Sequence, residues 1–273
     1  MIIVIPVSLV QQYKDEIRRY TKPNQVDIIP YTGYLMSRGN FWTSAWAASK
    51  QPAIRRIVLA TTSAIDNDAA ALWVQTKDKW CPPVVVNAPA EHDRVIKTTV
   101  FGQKWGTFVF DEVHAVRTFN RLYMAAAKLG DLADLRIGLS ATPGITTPMD
   151  FMAIGRWLKL PAYSGVTGER VIEEAKKAIG KARREDNKAL KAEEDGKDRV
   201  KALLRGKSGK YTAKFSDTVY TQVVGGMMKT VRDDFKGYVI RRTIESRDFD
   251  GEAISGLPPH HEALLMLRQA PEE

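Results

Sequence analysis

The sequence predicts an α/β protein: a parallel sheet flanked by helices, with a charged helical insertion late in the chain. Three observations predict it. Short apolar runs of strand length recur as far as Leu139. They are continuous rather than alternating, the mark of strands buried on both faces. Segments of helical periodicity lie between the runs, and strands alternating with helices require crossover connections and a parallel sheet. From about residue 161 the apolar runs give way to dense charge.

The first run, Ile2 to Ile5, reads as a buried strand. It is too short for a membrane span and lacks the basic start and small-residue cleavage site of a signal peptide. Ser8 is placed to cap the next helix, with Gln11 as its capping-box partner. Leu9, Tyr13, Ile17 and Tyr20 then share one helical face. "VDIIPY" is a second strand after a Pro-Asn turn, and "IRRIVLATTSAI" a third that ends in polar residues. "GTFVFDEVH" repeats that pattern. "RLYMAAAKLGDL" has helical spacing, and "LRIGLSATPG" is the last strand of the series. Ligands of open parallel sheets bind beyond the carboxyl ends of the strands. Thr61-Thr62, Asp111-Glu112 and Ser140-Ala141-Thr142 sit at those ends.

Residues 170–210 hold fourteen Lys or Arg against eight Asp or Glu, a net of +6. The whole chain carries +9, so its basic character is concentrated there. The stretch reads as exposed charged helix interrupted by Gly180 and Gly196, with phosphate contact as a sharper possibility. Residues 236–273 read as strand, loop and strand. The domain expectation is therefore a sheet-based lobe over 1–164, a helical protrusion over 165–235, and a return to the lobe over 236–273. The one cysteine, Cys81, excludes a disulfide framework and a cysteine-rich zinc site, and fits a reducing compartment. The pair His260-His261, beside two prolines, reads as solvated loop.

Chemistry concentrates in "GTFVFDEVHAV". Phosphoryl transfer needs a held magnesium ion and an aimed water more than covalent catalysis. A carboxylate at a strand end suits magnesium, a hard ion that keeps several waters. Asp111 is the candidate magnesium ligand, and Glu112 the group that polarises the attacking water. His114 is placed to bond toward the next strand's loop, where Ser140 and Thr142 offer hydroxyls. An Asp-Glu pair after a strand is alone a weak signal. A second strand ending in "SATPG", 26 residues on, makes a two-part pattern.

These motifs resemble the first motor lobe of superfamily-two helicases and, within them, SWI/SNF-type DNA translocases. "IVIPVSLVQQYKDEI" and "IVLATTSAI" resemble the DNA-contacting strand ends. "KWGTFVFDEVHAVRT" resembles the acidic, DEAH-like box, and "LRIGLSATP" the coupling motif. "GRWLKLPAY", "YVIRRT" and "LPPHHEALLML" resemble the later segments of the lobe. The chain departs in having Ser140-Ala141-Thr142 where the subfamily usually has Thr-Gly-Thr, and Val113 where alanine is usual. The resemblance implies a RecA-like P-loop NTPase fold, ATP and Mg2+ as cofactors, and catalysis by Asp111, Glu112 and His114. It implies coupling through Ser140, Ala141 and Thr142, and grip on duplex DNA by Ser8, Thr61 and Thr62. It implies as partners a second motor lobe and chromatin proteins, with no membrane role and a nuclear location.

That fold normally opens with a glycine-rich phosphate loop, and the sequence begins inside the segment that follows it. Gly206-Lys207-Ser208 is a decoy: Lys201 stands where the loop's first glycine belongs, and charged helix precedes it rather than a buried strand. The expectation is a fragment of a larger motor, poorly active alone. The alternative is a non-catalytic nucleic-acid or protein-binding module that keeps the fold.

Overall fold

The computed structural model describes residues 1–38, 40–76, 79–81, 88–144, 147–195, 218–242 and 246–252. The chain divides into two units, Met1–Asp234 and Phe235–Glu273. The first is built on a five-stranded sheet of order β2-β3-β1-β6-β7, parallel throughout. Its strands are β1 (Ile2–Ile5), β2 (Asp27–Tyr31), β3 (Arg56–Thr61), β6 (Trp105–Asp111) and β7 (Ala133–Leu139). A separate antiparallel hairpin pairs β4 (Val74–Thr76) with β5 (Lys79–Cys81).

Helix α1 (Val10–Tyr20) follows β1 and packs on one face of the sheet. Its Leu9-side stripe, with Val10, Tyr13 and Ile17, lies against Ile3, Ile5, Leu59 and Val109. Tyr20 leaves this face: it ends the helix and is 78% exposed. The opposite face carries Ile2, Val4, Val58, Ala60, Phe108 and Phe110, all fully buried. There α5 (Pro148–Trp157) seats Trp157 edge-on against both phenylalanines. Helix α4 (Arg121–Asp131) brings Gly130 against the Arg136 side chain, and α2 (Thr62–Leu72) packs on α4. Helix α3 (Ala88–Thr98) completes this layer beside α2.

Strand β7 is an edge strand whose neighbour among the described residues is β6. Its Leu135, Ile137 and Leu139 stand in register with Thr107, Val109 and Asp111, on the face that α1 covers. They are 53%, 37% and 40% exposed. Alternate apolar side chains on an unpaired parallel edge form a surface that proteins ordinarily cover.

Several expectations change. Ser8 does not cap a helix. A 3-10 turn (Val7–Leu9) begins straight after Pro6, so Ser8 lies inside the turn, exposed. Gln11 bonds Asp15 instead, at 2.9 Å. The third strand stops at Thr61, because that side chain accepts the Ala64 N–H and starts α2 there. Gly180 does not interrupt its helix. Helix α6 (Gly165–Asp195) runs through it, anchored on either side by buried Ile179 and Ala182. The exposed pairs Arg170–Glu174, Glu173–Lys177 and Lys181–Glu185 add helical support. Helix α7 (Val219–Asp234) returns antiparallel along α6. Asp186 accepts the Val219 and Tyr220 N–H groups at one end, and Asp234 accepts the Tyr163 hydroxyl at the other. Gly196 and the decoy at 206–208 lie outside the described residues.

In the second unit, residues 238–242 form no strand. Tyr238, Val239 and Ile240 are 60%, 59% and 97% exposed, and among the described residues no neighbouring strand offers them a ladder. A turn follows in which the Asp248 carboxylate accepts the Asp250 and Glu252 N–H groups. His260, His261 and the segment 257–267 lie outside the described residues. Among the described residues, no helix is long and apolar enough to cross a membrane.

Candidate nucleotide site

The parallel pairing of β6 with β7 puts Asp111 beside Leu139, so the acidic box and Ser140 leave adjacent strand ends. The crossover through α4 makes these strands neighbours, as the spacing in sequence predicts. Behind both ends lie fully buried Trp157 and Val113. A Cβ on Gly138 would stand 3.0 Å from Val113 and 3.3 Å from Trp157, so a larger residue there would press on both side chains.

Glu112 has φ 53° and ψ 52°, a left-handed backbone in a non-glycine residue. Such a conformation costs about 1–2 kcal/mol and tends to occur where function requires it. Here it turns the Glu112 N–H back onto Asp111 Oδ1, at 2.9 Å, and starts the short 3-10 helix Val113–Val116. The two adjacent carboxylates thereby part company. Glu112 Oε2 lies 3.1 Å from His114 Nδ1. In the tautomer with its proton on Nδ1, the imidazole donates to this carboxylate. The Ser140 hydroxyl lies 3.2 Å from the same nitrogen and 3.5 Å from Glu112 Oε2, and accepts the Thr142 N–H at 3.1 Å. Glu112, His114 and Ser140 thus form one polar cluster bridging two strand ends. Ala141 and Thr142 are exposed beside it.

Asp111 points the other way, toward α1, two residues beyond Val109 on the same side of β6. Tyr13 of α1 packs on this same side of the sheet. Burial, and then the nearby Asp111 and Glu112 carboxylates, push the Tyr13 hydroxyl well above the usual phenol range. Sequence reasoning placed Tyr13 only on an apolar stripe. The signal was its hydroxyl, the one polar tip facing the core among Leu9, Tyr13 and Ile17.

The phosphate-gripping candidates separate. Ser8 is exposed at the end of β1 and Thr62 is half-buried at the first turn of α2. Thr61 is 1% exposed and its hydroxyl is committed to the α2 cap, which withdraws it from any phosphate. The donor set fits magnesium held by one or two carboxylates and completed by waters and phosphates. Among the described residues no group of three or more His, Cys, Asp or Glu forms a closed metal cage.

A parallel sheet with helices on both faces, whose adjacent strand ends carry a carboxylate pair and a hydroxyl cluster, defines a lobe of the RecA-like class. Residues 1–168 match the SNF2-related domain, and the chain belongs to that family. It is accordingly a lobe of the helicase-like type. The helicase domain of Hef from Pyrococcus furiosus is similar at 18% identity and a TM-score of 0.36, over 85% of this chain and 49% of that one. The chain spans about half the length of that structure. No curated protein matches it.

Proposed function

We propose that the chain is the first motor lobe of an SWI/SNF-type, ATP-driven translocase on duplex DNA, of the chromatin-remodelling or DNA-repair kind, acting in the nucleus beside chromatin proteins. The observation that carries this reading is the Glu112–His114–Ser140 cluster, which joins the acidic box to the neighbouring strand's loop. When bound, Mg2+ with ATP supplies the electrophilic phosphorus and neutralises its developing charge. Asp111 is the carboxylate for the ion. Glu112, aimed across the strand ends, orients the attacking water and takes its proton. His114 fixes the Glu112 carboxylate and reports its state to Ser140. A shift of Ser140 is passed through the Thr142 N–H to the exposed loop 140–144, which suits communication with a second lobe. Ser8 and Thr62 grip backbone phosphates without reading sequence. Helices α6 and α7 serve as the protrusion, within the proposed division 1–164, 165–235 and 236–273.

The lobe is proposed to work as part of a larger motor. The exposed Leu135, Ile137 and Leu139 support this: they match an apolar strand and helix added alongside β7, next to the acidic box, where a phosphate-cradling loop is needed. The isolated chain is then expected to bind ATP poorly and to show no DNA-stimulated phosphate release. Its binding to duplex DNA is expected to be weak, indifferent to sequence and steeply salt-dependent. Phosphate release is measured with and without DNA, for the chain and for Glu112→Gln. Robust DNA-stimulated turnover that Glu112→Gln abolishes overturns the need for an added segment. Absence of any salt-dependent duplex binding overturns the motor reading in favour of a protein-binding module.

A further inference from the structure

We infer that the outer face of α6 is a second contact for the phosphate backbone of duplex DNA, separate from the strand-end positions Ser8 and Thr62; the choice of DNA rests on the function proposed above, and the charge argument does not. The helix divides its residues between two sides. Ile172, Ala175, Ile179 and Ala182 are buried and form its inner stripe. Lys177, Lys181, Arg184 and Lys188 recur at steps of four, three and four, which puts them on one face opposite that stripe. All four are exposed. At about 1.5 Å of rise per residue the row is roughly 16 Å long, the axial length of roughly five base-pair steps.

The cations of this row are not consumed within the fold. From 176 to 188 the helix carries six Lys or Arg against two acids, Glu185 and Asp186. Asp186 is turned to α7, where it accepts the Val219 and Tyr220 N–H groups. Glu185 stands 3.8 Å from Lys181 and Glu173 3.7 Å from Lys177, in pairs open to solvent. Such pairs contribute little and are readily exchanged for a phosphate. Arg184 has Gly180, Lys181, Asn187 and Lys188 three and four places away, none of them acidic. Gly180 is a second, independent observation. Its own neighbours at three and four places are Lys176, Lys177, Arg183 and Arg184, so the backbone is bare at the centre of four cations. Arg183 leans onto the Tyr220 ring of α7, 5.1 Å from its centre, and Lys176, Lys177 and Arg184 remain around the gap. A Cβ on Gly180 would meet nothing within 4 Å, and a mid-helix glycine weakens a helix relative to alanine. Packing therefore does not call for this glycine, whereas close approach of a ligand to the backbone does.

The kind of partner follows from what the face lacks. Helix α6 holds no aromatic residue, so the bases of a single strand find no stacking platform. Its apolar stripe is buried, so it cannot lie in a lipid interface as a free amphipathic helix does. A row of cations with neither feature suits the regularly spaced phosphates of a duplex, and reads no sequence.

The test is the fluorescence anisotropy of a labelled, mixed-sequence DNA duplex titrated with the 273-residue chain over a series of salt concentrations. The quadruple variant Lys177→Gln/Lys181→Gln/Arg184→Gln/Lys188→Gln is compared with a charge-matched control, Arg18→Gln/Arg19→Gln/Lys22→Gln/Arg55→Gln, whose residues are exposed near the amino ends of β2 and β3. A third protein, Gly180→Leu, keeps every charge and fills the gap between the cations. Each phosphate contact adds about 0.9 to the slope of log affinity against log salt, so the quadruple variant is expected to lose about 3–4 of that slope. The control is expected to keep the slope of the natural chain. Gly180→Leu is expected to bind several-fold more weakly while melting no lower than the natural chain, because leucine is the better helix former. An unchanged slope in the quadruple variant overturns the inference and leaves the motor reading in place. An equal loss in the control assigns the effect to net charge and overturns it too. Gly180→Leu binding as tightly as the natural chain removes the close approach at the backbone. Phosphatidylserine vesicles that the natural chain binds and the quadruple variant releases, with duplex binding unchanged, assign the face to lipid instead. No salt-dependent duplex binding by the natural chain overturns this inference and the motor reading together.

Discussion

Replacing Arg38 by leucine tests the buried charge cluster that ties β2 to α2. Asp68 is fully buried and Arg38 is 7% exposed. The guanidinium reaches Asp68 through two nitrogens, at 2.9 and 2.5 Å, and lies 4.1 Å over the Tyr31 ring. The Tyr31 hydroxyl donates to the same carboxylate at 2.6 Å. In Arg38→Leu the carboxylate stays buried with one neutral donor and no counter-charge. Breaking a buried pair from one side costs about 3–5 kcal/mol. Against a typical domain stability of about 5–15 kcal/mol this is a large fraction. At roughly 2–4 °C per kcal/mol for a domain of this size, melting falls by roughly 6–20 °C. The double variant Arg38→Leu/Asp68→Asn removes the orphaned charge and keeps an acceptor for Tyr31, so it should recover more than half of the loss. Urea denaturation with circular dichroism gives both values. The reasoning is refuted if Arg38→Leu costs under about 1 kcal/mol, or if the double variant is no more stable than the single.

Two further substitutions probe the scaffold of the site. Asp131 is drawn toward the proton by burial, but its bonds to Lys159 at 2.8 Å and Arg136 at 2.6 Å outweigh this and hold its carboxyl below the usual range. A lowered carboxyl stabilises above the unfolded value and loses that contribution as pH falls through the folded one. Asp131→Asn should therefore be less stable at neutral pH, with the gap closing below about pH 4, as read by melting temperature against pH. A gap that widens in acid contradicts the assignment. Gly144→Ala should destabilise by about 1–3 kcal/mol, because its Cβ would run into the Phe151 ring. An unchanged urea midpoint would show that the ring swings clear.

Much of the lobe is legible in local pattern. Ile2 to Ile5, Phe108 to Phe110 and their like are continuous apolar runs, and a buried parallel strand has no other way to be written. The acidic box and Ser140 could be placed on neighbouring strands because a single helix, α4, joins them. The hairpin of β4 and β5 escaped notice because three-residue strands carry too little periodicity to register. Residues 238–242 misled for the opposite reason: among the described residues this apolar run has no sheet neighbour whose ladder it could join.

By itself the sequence determined the fold class, the positions of the strand ends, and which carboxylates, histidine and hydroxyls stand there. Composition and short-range spacing carry that information. Tertiary structure alone decided how those groups are shared out. It brought Tyr13 to Asp111 across 98 positions of chain, because strand order laid α1 over that face. It turned Glu112 left-handed toward His114 and Ser140, and it buried Thr61 as a cap while leaving Thr62 within reach of solvent. It also left Leu135, Ile137 and Leu139 uncovered. Each of these depends on which strands are neighbours and on which side of the sheet a residue falls, and a linear pattern does not encode contacts between segments so far apart.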